Sequence, residues 1–121
     1  TMMGFKACET AYNECEKWLE ECIEVIDGNQ RYVKKFFEEN FPKIKAPLVE
    51  GTYLQWVDFR ALDLGNEELE ELMTKEAKLY LDEGYIFGAE GSGFERFNLA
   101  CPKSVIEQAL ERLKKVIEKK L

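Results

Sequence analysis

From Phe5 to Ile26 the apolar residues fall at steps of three and four: Phe5, Cys8, Tyr12, Cys15, Leu19, Cys22, Ile26. That spacing is one face of a helix, and a strand cannot satisfy it. The period continues past Gly28 through Val33 and Phe36-Phe37 toward Asn40, and Pro42 stops it. Asn13 and Glu16 have the spacing of a capping box, so the run is expected to divide near Asn13 into a short helix and a long one. Gly28, which inside a helix costs ~1 kcal/mol against alanine, marks a candidate kink. The second helix then has about 25 residues, where helices average ~10–14. An element that long in a chain this small points to something it bridges toward.

The rest of the chain is short. With 121 residues it has room for one domain and one core. Its composition, 45% hydrophobic and 34% charged, is that of an ordinary globular domain. Lys plus Arg is 17 and Asp plus Glu is 24, so the net charge is 17 − 24 = −7. An acidic chain without a basic cluster is poorly suited to nucleic acid or to an anionic membrane surface. No apolar run approaches the ~18–20 residues of a membrane span. The start, "TMMGFKACET", is not a signal peptide, and beginning on Thr1 rather than Met suggests a cut or tagged chain.

There is no histidine, so the commonest general base and metal ligand is missing. The cysteines at 8, 15 and 22 are spaced by seven. On one helix they stand ~10 Å apart along the axis, beyond the ~7 Å Cα reach of a disulfide and too spread for one zinc ion with ~2.3 Å bonds. They are expected to be free, metal-free thiols on a packed stripe, with Cys101 elsewhere, in a reducing cytoplasm.

After Pro42, Ile44–Val49 is expected to be a first strand, Glu50-Gly51 a turn, and "TYLQWVDF" a second strand. Alternation puts Tyr53, Gln55, Val57 and Phe59 on one face and Leu54, Trp56 and Asp58 on the other. Asn66 is expected to cap a helix over "EELEELMTKEAKLYL", with Glu67, Glu68, Glu70 and Glu71 on its solvated side. "YIFGAEGSGFERFNLACP" is a glycine-rich loop beside a strand that Pro102 stops. A final amphipathic helix presents Val105, Ile106, Ala109, Leu110, Leu113, Val116 and Ile117 inward. The order α-α-β-β-α-β-β-α predicts an α+β fold: a small, largely antiparallel sheet flanked by helices. "GAEGSG" lacks the Gly-Lys-Ser/Thr ending of a phosphate loop and precedes a strand rather than a helix.

One residue resists this pattern. Arg96 sits mid-strand in "GFERFNLACP", between Phe94 and Phe97, where burial is expected. A buried guanidinium without a partner is costly. Its partner is either a carboxylate of this chain or one arriving on a ligand.

"ETAYNECEKWLEE", "LVEGTYLQWVDFRAL" and "EGYIFGAEGSGFERFNLACP" together resemble the C-terminal part of fold-type-I pyridoxal-phosphate enzymes, aminotransferase-like, on the branch of cystathionine β-lyase and related carbon–sulfur β-lyases. The resemblance spans nearly the whole chain. It implies that residues 1–40 lead from a large domain absent here, and that 41–121 are the small domain. It also implies that the Schiff-base lysine, the aspartate on the pyridine nitrogen and most of the phosphate cradle lie in the absent part. No Ser-x-x-Lys motif occurs in this chain, and no catalytic residue is expected in it.

In such enzymes the arginine of an Arg-x-Asn-x-Ala strand grips the substrate α-carboxylate, and Arg96 with Asn98 and Ala100 matches that motif. Gly51, Tyr53, Phe87 and Gly88 are implied lining near the substrate entrance. Expected partners are an amino acid, sulfur-containing in the lyase branch, and the large domain, with a homodimer as the assembly. Pyridoxal phosphate is expected in the parent enzyme and not on this fragment alone. Two alternatives stay open: an aminotransferase, which uses the same clamp, and a free-standing, non-enzymatic amino-acid-binding or interaction module.

Overall fold

A computed structural model describes residues 1–120. Helix α1 spans Met2–Glu14, opened by Thr1, whose side-chain oxygen accepts from the Gly4 amide at 3.2 Å. Helix α2 spans Glu16–Asn40. The break between them falls at Cys15, just beyond the expected Asn13. Gly28 lies inside α2, and a methyl group there would meet nothing within 4 Å.

The two helices behave differently. α1 buries no residue, whereas α2 buries Asn29, Gln30, Val33, Phe36 and Phe37. The stripe expected to be packed is therefore bare at its start: Phe5 is 79% exposed and Tyr12 86%. Cys8 is exposed, while Cys15, Cys22 and Cys101 are half-buried, and all four are free.

The sheet has three antiparallel strands: β1 (Leu54–Asp58), β2 (Asp82–Glu83) and β3 (Phe94–Asn98), in the order β1-β3-β2. The expected strand over Ile44–Val49 reduces to one bridge, Lys45 to Asp58. The reason is local. Pro47 has no N–H to give a ladder. Side chains take the backbone groups instead: Gln55 Nε2 donates to the Pro47 carbonyl at 3.0 Å, and Gln30 Oε1 accepts from the Val49 amide at 2.9 Å.

Helix α3 (Asn66–Glu71) is capped by Gly65, one residue before the expected cap; the Gly65 amide donates to Glu68 Oε2 at 2.9 Å. It widens into a π-turn over Leu72–Glu76. The chain then reverses at Lys78, which is left-handed (φ 55°), while the Leu79 amide returns to the Met73 carbonyl at 2.8 Å. The helix thus ends short of the expected Leu81. Tyr85–Phe87 fall in a 3-10 turn, and β2 lies just before them. Helix α4 (Lys103–Ile117) buries Ile106, Leu110, Leu113, Val116 and Ile117, but leaves Val105 50% exposed.

One face of the sheet carries Gln55, Val57, Glu95 and Phe97 into the core. There Phe37 of α2 meets Phe59 edge-on at 5.6 Å and Phe97 at 6.5 Å. α4 and the π-turn close the core with Leu72, Met73, Leu110 and Leu113. Asn29 ties α2 to the end of β3, its Nδ2 donating to the carbonyls of Leu99 (2.9 Å) and Cys101 (2.8 Å). The opposite face carries Trp56, Phe94 and Arg96, all half-buried, with Phe87 of the 3-10 turn lying against Trp56 and Arg96.

Candidate functional site

The strand pattern decides where Arg96 points. Residues 94, 96 and 98 of β3 face outward, and 95 and 97 face the core. The charge carried into the interior is therefore Glu95, 1% exposed, and not Arg96, whose side chain keeps 24% of its surface. Asp82 stands across from Arg96 on β2, and Trp56 across from it on β1. Directly opposed residues in an antiparallel pair share a face, so the three meet on the outer surface.

Arg96 finds a carboxylate within its own chain. Its Nη2 donates to Asp82 Oδ2 at 2.6 Å and its Nε to the same oxygen at 3.2 Å. Asp82 is 48% exposed, and an ion pair that open contributes ~0–1 kcal/mol. The guanidinium also lies 4.5 Å over the centroid of the Phe87 ring. Phe87 in turn meets Trp56 edge-on at 5.5 Å, and Trp56 meets Phe94 at 6.2 Å. Beside these rings opens a cavity of about 320 Å³ lined by Trp56, Phe87, Glu90, Gly91 and Phe94.

The residues singled out in the sequence divide into two places. Arg96 and Phe87 are in contact, and Gly88 follows with φ 134°, a value that favours glycine. Gly51 and Tyr53 line a second groove of about 480 Å³ between α2 and the turn before β1, shared with Leu19, Ile23 and Gln30. Asp82 and Trp56 were not singled out. Alternation alone puts Trp56 on the outer face, but only the strand register shows that it and Asp82 flank Arg96.

On the core side, Glu95 Oε2 has no hydrogen-bond partner among the described residues. Burial first, and then the charges of Glu83, Glu70 and Asp82, push its carboxyl up to about 8. Glu95 is therefore largely protonated at neutral pH. Glu70 also accepts the Tyr85 hydroxyl at 2.8 Å, which pushes the Tyr85 phenol up.

Among the described residues no group of three His, Cys, Asp or Glu is placed to hold a metal ion. Among the described residues no helix is long and apolar enough to cross a membrane. Every lysine among the described residues is exposed or half-buried.

Known proteins of similar sequence and shape agree on what kind of piece this is. Cystathionine beta-lyase PatB of Bacillus subtilis is 35% identical over 108 residues, covering 89% of this chain and 28% of the relative. Cystalysin from Treponema denticola, a crystal structure containing pyridoxal 5'-phosphate, superposes with a TM-score of 0.96 and 60% identity, over 98% of this chain and 30% of that one. The chain matches the C-terminal part of fold-type-I pyridoxal-phosphate enzymes. Aromatic-amino-acid aminotransferase 2 of Thermococcus litoralis is also 31% identical over 87 residues, 72% of this chain and 22% of that protein. The chain thus spans under a third of the length of these relatives. No family model matches it.

Proposed function

We propose that this chain is the small-domain portion of a pyridoxal-phosphate-dependent carbon–sulfur β-lyase, in which Arg96 binds the α-carboxylate of the substrate amino acid. The observation that carries the proposal is the placement of Arg96. Its guanidinium stands half-buried on the outer face of the sheet, steadied by Asp82 and Phe87, with Nη1 donating to no described residue. A planar fork of donors suits a two-point grip on a carboxylate.

Within that proposal residues 1–40 lead in from the rest of the protein, and 41–121 form the small domain, with the second half of α2 sharing its core. The bound cofactor supplies an electron sink for bond-breaking at Cα, and the lysine and phosphate cradle belong to the remainder of the protein. Arg96 fixes one end of the substrate and so fixes which Cα bond lies in line for reaction. Phe87 and Gly88 border the clamp; Gly51 and Tyr53 line the neighbouring groove. The parent is a homodimer, and the free cysteines of this chain suit a reducing cytoplasm.

The test is steady-state kinetics of Arg96→Ala and Arg96→Lys in the full-length holoenzyme, with a thermal melt alongside. Losing a charge-assisted grip costs ~2–4 kcal/mol, or roughly 30- to 1,000-fold in kcat/KM. Lysine rescues poorly because it has no planar fork. Unchanged kcat/KM in a folded Arg96→Ala protein refutes the clamp.

A second reading, an aminotransferase, is supported by the similarity to the Thermococcus litoralis enzyme. The same arginine serves both chemistries. Pyruvate, ammonia and a thiol released from a sulfur amino acid without a keto-acid acceptor decide for the lyase. Turnover that requires such an acceptor decides for the aminotransferase.

A further inference from the structure

A guanidinium offers a carboxylate two usable edges: the side edge through Nε and one Nη, and the end through both Nη atoms. In this structure Asp82 holds the side edge, with Nε at 3.2 Å and Nη2 at 2.6 Å from one oxygen, Oδ2. Nη1 and the second proton of Nη2 donate to no described residue. The flat face is covered by Phe87 at 4.5 Å. Phe87 is itself set by Trp56, which stands across from Arg96 in the sheet. Four rotatable bonds would otherwise let this side chain sweep an open surface. One edge and one face are fixed, and the end edge is left to donate.

We infer that Asp82 is a positioning residue for the carboxylate clamp: it holds Arg96 by its side edge so that the end edge meets the incoming carboxylate. The inference rests on the clamp reading of Arg96 given above. Asp82 is well placed for this because β2 is only two residues long and its first residue is in register with Arg96. The backbone ladder therefore sets the carboxylate opposite the guanidinium. The ion pair is open to solvent, 24% and 48% exposed, so its contribution to folding is small. What it gives is direction.

The test uses the full-length holoprotein and two probes that differ by one carboxylate, L-alanine and ethylamine. Their dissociation constants are measured by calorimetry for Asp82→Ala, Asp82→Asn, Arg96→Ala and the double variant Asp82→Ala/Arg96→Ala. Residues of one hydrogen-bonded network couple strongly, so Asp82→Ala is expected to weaken L-alanine by roughly tenfold and to leave ethylamine within about twofold. Asp82→Asn keeps an acceptor oxygen in place and recovers most of the loss; it also guards against a poorly folded alanine variant. In the double variant, removing Asp82 costs L-alanine nothing beyond what Arg96→Ala already costs.

A merely structural Asp82 weakens both probes alike and adds to the Arg96→Ala loss, which overturns the inference. So does unchanged or tighter L-alanine binding in Asp82→Ala. If Arg96→Ala itself treats the two probes alike, the clamp reading fails first and this inference falls with it. If Arg96→Ala is selective for L-alanine and Asp82→Ala is not, the positioning role alone is lost.

Discussion

Glu95→Gln should change how the stability of this chain depends on pH. The carboxyl is 1% exposed, has an unpartnered oxygen and faces Glu83 across β2 and β3. It rises from an ordinary 4.5 to about 8, a difference of 8 − 4.5 = 3.5 pH units. The folded protein therefore keeps a proton that the unfolded chain releases. Stability from this group is fully present below pH 4.5, declines as pH rises, and is gone above about 8. At about 1.4 kcal/mol per pH unit the whole effect is on the order of 4–5 kcal/mol. Between pH 6 and 8 the loss amounts to roughly 2 kcal/mol.

The window is unusually clean. The chain has no histidine, so no side chain with an ordinary pKa titrates between pH 5 and 8. Glutamine has the shape of the protonated acid and cannot ionise. Its extra N–H adds a constant offset, because an unsatisfied buried donor costs ~1–3 kcal/mol at any pH, but it adds no slope. Urea denaturation followed by tryptophan fluorescence at pH 6, 7 and 8 reads the effect. The wild-type midpoint should fall by on the order of 1 M across the window, given a slope near 1–3 kcal/mol per M. The Glu95→Gln midpoint should stay level. Parallel curves for the two proteins would show that Glu95 is charged and solvated in the folded state, and would refute the account of its burial.

Other consequences are as direct. Gly84→Ala should destabilise by more than ~2 kcal/mol in the same denaturation assay, since its Cβ would stand 2.1 Å from the Gly91 carbonyl oxygen and 2.7 Å from that of Phe94; a neutral result would mean that this turn is not closed as described. Gly28→Ala should stabilise by ~0.5–1 kcal/mol, because it lies mid-helix with open space around it. The 121-residue chain should self-associate through the stripe of Phe5, Cys8, Tyr12, Cys15, Leu19 and Cys22, whose Phe5, Tyr12 and Leu19 are exposed; a clean monomer in sedimentation at high concentration would refute this. That same chain should show no saturable absorbance band with pyridoxal phosphate, and a one-to-one band lost with a single lysine would overturn this.

Elements with one dominant period were legible from the sequence alone. α2 and α4 follow from apolar steps of three and four, and the two faces of β1 from simple alternation. The Ile44–Val49 segment misleads because its apolar residues are buried for packing, as with Ile44 and Ala46, while its backbone is satisfied by Gln30 and Gln55 from elsewhere. No local pattern announces a long-range side-chain bond of that kind. Val105 fits the helical stripe of α4 and still stays outside, although its neighbour Ile106 is buried. Asp82 was illegible for a different reason: a two-residue strand has no periodicity, and its pairing with Arg96 exists only once β3 lies between its neighbours. Arg96 itself was legible as an oddity. Its neighbour Glu95, the side chain that burial truly penalises, was not.

Those two adjacent residues show how the strand divides its work. Peptide geometry sends consecutive side chains to opposite faces, so Glu95 and Arg96 meet different surroundings, Glu95 buried and Arg96 half-buried. Putting Arg96 on the outer face commits the preceding glutamate to the core. There it keeps a proton rather than a counter-ion, first because it is buried and then because its charged neighbours Glu83, Glu70 and Asp82 are all acidic. The acidity that penalises Glu95 serves the outer face, where Asp82 steadies the guanidinium. A substitution that neutralises this cluster should therefore act on both faces with opposite signs. Asp82→Ala relieves Glu95 of one repelling charge and lowers its carboxyl toward the ordinary range, while removing the partner that holds Arg96. Stability at pH 8 should rise slightly as carboxylate binding weakens, and that pairing distinguishes a shared electrostatic cause from two independent ones.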